Sequence, residues 1–589
     1  MSKRTFQFLL ILSLAFIIRM MFVGNPGFEA DISFWKSWSL AAADHGIVWM
    51  AHNTNINYPP AFSYVLYLMG IVYRIFADPH NFNQYWYNHN YLFLIIAKLP
   101  AILSDLAIGA LIYIFFSRKK FPFLSDHFPP PLFLASLYLF NPVSILDGAI
   151  WGQVDSFGVL FTIVAVILLL NKKPGLASFI FIIGALTKLQ NIIYIPVFYL
   201  FILRFYNFET LKKSIFWSFI AFLVGTFPFV LAKDLDTVLY LLTSNADWFP
   251  LMSLNAHNLW WIVAGGRGMD VSDKLLAMGI INAKTMGLIL FSGVYLFVMF
   301  LVWIKPKPGN FILGLCLSVF GFFLFTTQSH ERYSFPIVAF LPFLIPFLSH
   351  KKQKFTLFLY FFLSLAILYN INTGFALNYP TNALPVLSLF ISIPATILSS
   401  ILHIILFGTL FILAASEVSL FLPFIAAFFV MVAVSGKNFS YFVKKQIPLT
   451  SLWPTAAYQG YGSMQYNMSV NSYDKWKNWN FLSTQYYFYK KGIGTHANST
   501  IIYDLNKNFS KFSTDYGIDT EAGAAASVYF KVYGDDKLLF TSPKVTKFDL
   551  PRHMEINIKG VKKLQLDVTD AGDGIKDDHA DWLGPILYK

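Results

Sequence analysis

The amino-acid sequence predicts a polytopic α-helical membrane protein with about 11–13 transmembrane helices and a carboxy-terminal extracytoplasmic β-sandwich. Three observations predict it. Of the 589 residues, 56% are hydrophobic and only 13% are charged, against about 25% charge in ordinary soluble domains. Apolar runs long enough to cross a hydrocarbon layer of about 30 Å recur from residue 5 to residue 434. Near residue 436 the composition then switches to polar, Gly/Asp/Asn-rich sequence with short alternating segments. The domain division that follows is 1–435 for the membrane part, 436–450 for a linker and 451–589 for the β-sandwich.

The first span, from Thr5 to Val23, is not followed by a small-residue cleavage site and reads as a retained helix. Just beyond it lies GFEADISFWKSW (27–38), with Glu29 and Asp31. The apolar run AFSYVLYLMGIVYRIF (61–76) is short, carries Arg74 and follows Tyr58-Pro59-Pro60, so it reads as a helix on the outer membrane surface. That choice delivers Arg118-Lys119-Lys120 to the inside after the next span, as the positive-inside rule requires. Further basic clusters, Lys172-Lys173, Lys212-Lys213, Lys305/Lys307 and Lys351-Lys352/Lys354, fall in inner loops. The net charge of +13 is therefore mostly loop charge and does not point to nucleic acid. The count places Trp151–Asp155, Lys188–Gln190, Asp247–Trp261 and Gln328–Arg332 at the outer face. The stretch 385–434 is two spans, or one span and a surface helix; Lys437, Lys444 and Lys445 mildly oppose an outer placement. Cys316 is the only cysteine, so there is neither a disulfide framework nor a Cys-based metal site. In the tail, SVYFKVYG (527–534), KLLFTS (537–542), EINIKG (555–560) and KLQLDVTD (563–570) alternate as strands, with a turn at Gly534-Asp535-Asp536. No internal repeat is evident.

Four polar islands converge on the outer ends of different helices: Glu29/Asp31, LDGAIWGQVDSFG (146–158), ALTKLQNIIYIP (185–196) and TTQSHERYSFP (326–336). Each has an ordinary reading. Lys188 could snorkel to a lipid phosphate, Glu331 could simply pair with Arg332, and Trp151 could belong to an interfacial belt. Acids and bases gathered at one membrane level are better explained as a site. No phosphate-cradling Gly loop or dinucleotide fingerprint is present, which argues against a nucleotide substrate. Carboxylates with Lys, His and Arg suit transfer from an anionic, lipid-borne donor. A base takes the proton of an attacking hydroxyl, and cations stabilise the charge on a departing phosphate.

In their order along residues 1–350, Asp31 with Trp38, Tyr58-Pro59-Pro60, Trp151-Gly152-Gln153-Val154-Asp155, Lys188-Leu189-Gln190 with Tyr194 and Pro196, Asn255-Ala256-His257-Asn258-Leu259-Trp260 and His330-Glu331-Arg332 resemble the motifs of the GT-C glycosyltransferases. The likeness is to the lumenal dolichyl-phosphate-glucose glucosyltransferases and their bacterial mannosyltransferase-like relatives. The resemblance implies a GT-C fold in a plasma membrane, of bacterial type, and an inverting hexosyl transfer from a polyprenyl-phosphate sugar to an extracytoplasmic glycan, glycolipid or protein. It places Asp31 as the base and puts Lys188, Gln190, His330 and Arg332 at the donor phosphate. Glu29, Gln153, Asp155, Asn258 and Trp260 then line the sugar or acceptor. Arg332 stands where the eukaryotic members carry Lys; it keeps the charge and adds a bidentate grip on phosphate. Several members work without metal, although the acids could hold Mg²⁺ or Mn²⁺ beside phosphate oxygens.

The tail has its own resemblance, to the NPCBM carbohydrate-binding modules, through KKGIGTHANSTIIYDL (490–505), YGIDTE (516–521), SVYFKVYGDDKLLFTS (527–542) and GDGIKDDHADWLGPIL (572–587). It implies sugar binding by His496, Glu521 and Trp582, with Trp582 as a stacking aromatic. Equally, Trp582 and His496 could be core or turn residues. Asp573, Asp577, Asp578 and Asp581 could hold Ca²⁺ or be solvated turn acids. Two readings stand against an enzyme: a membrane-anchored carbohydrate receptor or adhesin, and a lipid-linked sugar transporter. The first leaves the outward-facing Lys, His, Arg and Asp unexplained. The second wants ionisable groups at mid-membrane as well.

Overall fold

The structure, a computed structural model, describes residues 3–118, 121, 123–243, 249–274, 281–417, 445–470, 482–485 and 487–589. The expected spans over 418–434, most of the linker, Lys119, Lys120, Asp247, Lys437 and Lys444 lie outside the described residues. The chain divides into a helical unit, Met1–Asp273 with Ala283–Val432, and a β unit, Ala433–Lys589 with Lys274–Asn282.

In the helical unit, six helices among the described residues are long and apolar enough to cross a membrane: Lys3–Phe22, Tyr91–Ser117, Ala283–Ile304, Pro308–Phe325, His350–Asn378 and Ile393–Ala415. A seventh arises if Pro131–Leu139 and Pro142–Trp151, bent by 42°, form one broken span. Shorter apolar helices, such as Asp155–Leu170, Pro174–Ala185, Leu189–Phe205 and Ile337–Phe347, supply the remainder. Among the described residues, several apolar helices are shorter than a full span for a physical reason. The polar islands interrupt helices instead of capping them, so Ile145–Trp151 winds as a π-helix and Leu189–Tyr194 as a 3₁₀ segment. Prolines open Pro131–Leu139, Pro174–Ala185 and Pro308–Phe325 at their first turns, where the missing N–H costs nothing.

Glu29–His45 and Phe62–Phe76 share one hydrophobic cluster. The second buries Phe62, Leu66, Met69 and Tyr73, a stripe at three- and four-residue spacing, and leaves Leu68, Ile75 and Phe76 exposed.

The β unit is a sandwich of two antiparallel sheets. One runs Arg552–Asn557, Lys511–Ile518, His579–Tyr588, Gly492–His496, Gln465–Tyr466; the other runs Lys537–Thr541, Ser527–Gly534, Lys563–Asp570, Ser499–Asp504, Ala456–Gln459. Their inner faces meet where Trp582 packs edge-on against Phe530, 4.9 Å between ring centroids. Gln446–Pro448 pairs with the last strand, Pro448 opposite Ile586, so these three residues of the expected 436–450 linker are part of the sheet.

Candidate active site

Asp31 sits in the first turn of Glu29–His45, where the exposed N–H groups of the helix favour a carboxylate. The entry to that helix is fixed by the backbone. Gly27 has φ of +73°, and a Cβ there would lie 2.3 Å from the Trp151 carbonyl oxygen, which accepts from Phe28 N at 3.0 Å. Only glycine fits that joint. The other half of the joint is the end of the π-helix. Gly152, at φ +92°, turns the chain so that its own N–H and that of Gln153 both donate to the Asp147 carbonyl. The turn aims two donors at Asp31: Trp151 Nε1 at 2.8 Å and Gln153 Nε2 at 2.6 Å, both on Oδ2.

The cations stand on the far side of Gln153. Lys188, between Pro174–Ala185 and the 3₁₀ segment, places Nζ 2.7 Å from Asp155 Oδ1, 3.2 Å from Tyr58 Oη and 3.4 Å from Gln153 Oε1. Arg332 donates from Nη1 to Glu331 at 2.7 Å, lies 3.7 Å from Asp155 Oδ2 through Nε, and hangs over the Trp151 ring. Tyr58 is held by the aromatic pair Trp35 and Trp38 and by Phe62. A chain of polar contacts thus runs Asp31–Gln153–Lys188–Asp155–Arg332–Glu331.

Next to that chain opens a cleft of about 160 Å³, walled among others by Tyr58, Lys188, Gln190, His330, Arg332 and Tyr333. The four residues read as phosphate-binding in the sequence therefore share one cleft. Gln190 Nε2 is buried there with no hydrogen-bond partner among the described residues. A second, almost wholly apolar groove of about 820 Å³ is lined by Ala61, Val65, Phe157, Ile183, Thr187 and Val224, among others. Neighbouring residues of two segments line both: Tyr58, Pro59 and Lys188 the cleft, Ala61 and Thr187 the groove, and the Ala61 N–H donates to Leu186 O at 2.9 Å to join the segments.

The five residues expected at the sugar or acceptor do not line the cleft, and neither does Asp31. Glu29 accepts from Asn88 and Asn382, at 2.7 and 3.1 Å, and so clamps the 379–384 turn to its helix. Asp155 is the buried counter-ion of Lys188 and Arg332. Asn258 caps Leu259–Val263 and donates to Phe323 O and Thr326 O; Trp260 donates to Phe325 O at 2.7 Å. Gln153, 1% exposed, bridges Asp31 and Lys188.

Three charged residues within the first two spans were not singled out from the sequence. Arg19 and Asp105 form a fully buried pair at 3.0 Å, completed by Tyr138, Ser144 and the Leu139 carbonyl. Lys98 Nζ donates to the carbonyls of Val23, Asn25 and Ile150, tying the loop before Asp31 to the π-helix. Their signal was present: a charge inside an apolar run is costly unless partnered.

In the β unit, Trp582 is fully buried between the sheets and offers no stacking face. Its expected role as an exposed platform is corrected by strand geometry, which turns Trp582 toward the opposite sheet beside Phe530. His496 and Glu521 do belong to one cluster. His496 stands opposite His579 across the strands, with ring centroids 5.1 Å apart, and Tyr461 covers both rings from the surface. Glu521 accepts from Ser469 and faces His579 Nδ1 at 3.0 Å. Burial opposes charge on His579, but the Glu521 carboxylate outweighs it and leaves that ring more basic than usual; burial makes His496 less basic. His579 was missed because strand pairing brings it to His496, and Tyr461 because it reaches both rings from the bend after Ala456–Gln459; neither follows from spacing along the chain.

Of the four acids considered for Ca²⁺, three have partners within the protein. Asp573 takes Ser527 Oγ and Lys544, Asp578 takes Ser527 N, and Asp581 is buried in a pair with Asp519. Among the described residues no three His, Cys, Asp or Glu side chains gather as a metal ion would need, in this unit or in the helical one.

Residues 445–587 match the NPCBM/NEW2 domain, so the carboxy-terminal region carries a domain of that family. A putative endo-alpha-N-acetylgalactosaminidase of Renibacterium salmoninarum is 31% identical over 94 residues, 16% of this chain and 6% of that protein's length. The CBM51 module of a Clostridium perfringens GH95 protein, solved with methyl-galactose, is 34% identical over 24% of this chain and 99% of its own, with a TM-score of 0.22. The helical unit has a distant likeness to ArnT from Cupriavidus metallidurans, solved with undecaprenyl phosphate: 11% identity, 69% of this chain, 77% of that one, TM-score 0.36. What the helical site can do follows from its own groups.

Proposed function

We propose that the chain is an integral-membrane glycosyltransferase that moves a hexosyl group from a polyprenyl-phosphate carrier to an extracytoplasmic glycan, glycolipid or protein. The observation that carries this reading is the pairing of a cation-lined polar cleft with an apolar groove whose linings include adjacent residues, Thr187 in the groove and Lys188 in the cleft. A donor with a charged head and a hydrocarbon tail needs both, side by side. Lys188, His330 and Arg332 would stabilise the negative charge that grows on the departing phosphate. Asp31 would accept the proton of the attacking hydroxyl on Oδ1, because Oδ2 already takes Trp151 and Gln153. The new bond forms from the acceptor oxygen to the anomeric carbon as the carbon–oxygen bond to phosphate breaks. One base opposite the leaving group implies inversion. The β unit, outside by the charge count, would hold carbohydrate at Tyr461, His496, His579 and Glu521.

The test is transfer by purified protein from a panel of polyprenyl-phosphate hexoses. Wild type should turn over at least one donor, and Asp31→Asn should lose about two to four orders of magnitude in kcat while still binding polyprenyl phosphate. No turnover with any donor, despite binding, would favour a receptor; wild-type rates in Asp31→Asn would remove Asp31 as the base.

A further inference from the structure

Gln153 hydrogen-bonds to both halves of the site, to Asp31 on one side and to Lys188 on the other. It is 1% exposed, and its orientation is dictated by its neighbours. Nε2 donates to Asp31 Oδ2 at 2.6 Å, while Oε1 faces Tyr58 Oη at 3.3 Å and Lys188 Nζ at 3.4 Å. Turning the amide over would set its oxygen against a carboxylate and its N–H₂ against an ammonium, two repulsions in place of three attractions. The amide therefore points one way only, with its acceptor end on the cation and its donor end on the acid.

We propose that Gln153 is a positioning residue that links occupancy of the phosphate cleft to the Asp31 carboxylate. This inference rests on the donor reading above. A cation on the carbonyl oxygen of an amide polarises the group and strengthens its N–H as a donor. With the cleft empty, Lys188 therefore tightens the hold of Gln153 on Asp31. A phosphate in the cleft competes for the Lys188 ammonium, because a phosphate oxygen is a stronger acceptor than an amide oxygen. The amide relaxes and weakens its hold on Oδ2, so the carboxylate, still oriented by Trp151, becomes a stronger acceptor for a hydroxyl at Oδ1 only when a donor is present. The arrangement disfavours proton abstraction without a donor. Asp155 takes part by holding Lys188 at 2.7 Å, within reach of both Gln153 and the cleft.

The experiment uses full-length protein in lipid nanodiscs with undecaprenyl phosphate as the probe. Two readouts avoid turnover altogether: affinity for the probe, and carbodiimide labelling of Asp31 measured by peptide mass spectrometry. In wild type, the probe should raise labelling by about fivefold, the low end of site–site linkage. In Gln153→Met the probe should bind within about threefold of wild type but leave labelling level or lower it, since only shielding remains. Lys188→Met, which removes the other end of the bridge, should show the raised labelling with no probe added. A probe-dependent rise that persists in Gln153→Met, or Lys188→Met labelling equal to that of unliganded wild type, overturns the link and leaves the donor reading intact. Failure of wild type to bind the probe overturns both.

Discussion

Single residues decide the electrostatics of both units, and in the β unit Asp578 is the case in point. Asp578 is 1% exposed; Oδ1 takes the Ser527 N–H at 2.9 Å and Oδ2 has no hydrogen-bond partner among the described residues. Burial raises its carboxyl to about 6, against the pull of the Ser527 N–H and with help from Asp573, Asp570 and Asp577. A carboxyl raised in the folded state prefers to be protonated there. It contributes stability that is complete below its unfolded value near 4 and is lost as pH rises through about 6. Thermal unfolding of segment 445–589 should therefore show Asp578→Asn gaining on wild type between pH 4 and 6, with a constant difference above 7. A difference that is flat with pH would show that Asp578 titrates normally. At this scale the sequence was only partly legible. Asp31, Lys188, Gln190, His330 and Arg332 stand out as charged or polar groups in apolar runs. Arg19 and Asp105 carry the same mark, but their pairing across 86 positions is a fact of packing. Trp582 illustrates the opposite error: an aromatic among acids looks exposed along the chain and is core across the sheets.

Elements bring these residues together through two backbone joints, at Gly27 and Gly152. The helix carrying Asp31 has no side-chain cap, and its register against the π-helix depends on the Phe28 N–H bond to Trp151 O and on Gly27 at positive φ. Gly27→Ala adds a methyl 2.3 Å from that carbonyl oxygen and forces a left-handed conformation on a residue with a side chain. The joint should open, moving Asp31 away from Trp151 and Gln153 while Lys188, before Leu189–Tyr194, and Arg332, in the turn before Ile337–Leu344, stay in place. Expected is a loss of about 10²-fold in kcat, the usual effect of a misplacement near 1 Å, with polyprenyl phosphate affinity unchanged. Equal losses in affinity and kcat would indicate general unfolding instead. Helix existence was legible from apolar runs, and the helical reading of 61–76 agrees with the element Phe62–Phe76. The breaks were not. Hydropathy averages over the π-turn at Ile145–Trp151 and the 3₁₀ turn at Leu189–Tyr194, and those turns set the directions of Trp151 and Lys188.

On the scale of the molecule, the chain joins two units with separate cores. The helical core gathers side chains from Ala15 to Ala414, and the β core runs from Ile447 to Leu587 with no residue in common. The two units correspond to a change legible in the sequence, where apolar runs give way near residue 436 to polar, Gly/Asp/Asn-rich segments. The consequence for function is a division of labour. All the groups proposed for transfer, from Asp31 to Arg332, belong to the helical unit, and the Tyr461–His496–His579–Glu521 cluster belongs to the β unit. Binding a polymer through the second would raise the local concentration of acceptor ends near the first, as any tethered pair does. Removing residues 445–589 should then leave kcat unchanged with a short soluble acceptor and raise KM for a polymeric acceptor by about 10²-fold, the low end of tethering gains. His579→Ala in the full chain, which removes the partner of Glu521 and His496, should reproduce the KM effect without touching kcat. Kinetics with paired short and polymeric acceptors check both. A fall in kcat with the short acceptor would mean that the β unit completes the catalytic site, and the division of labour would be abandoned.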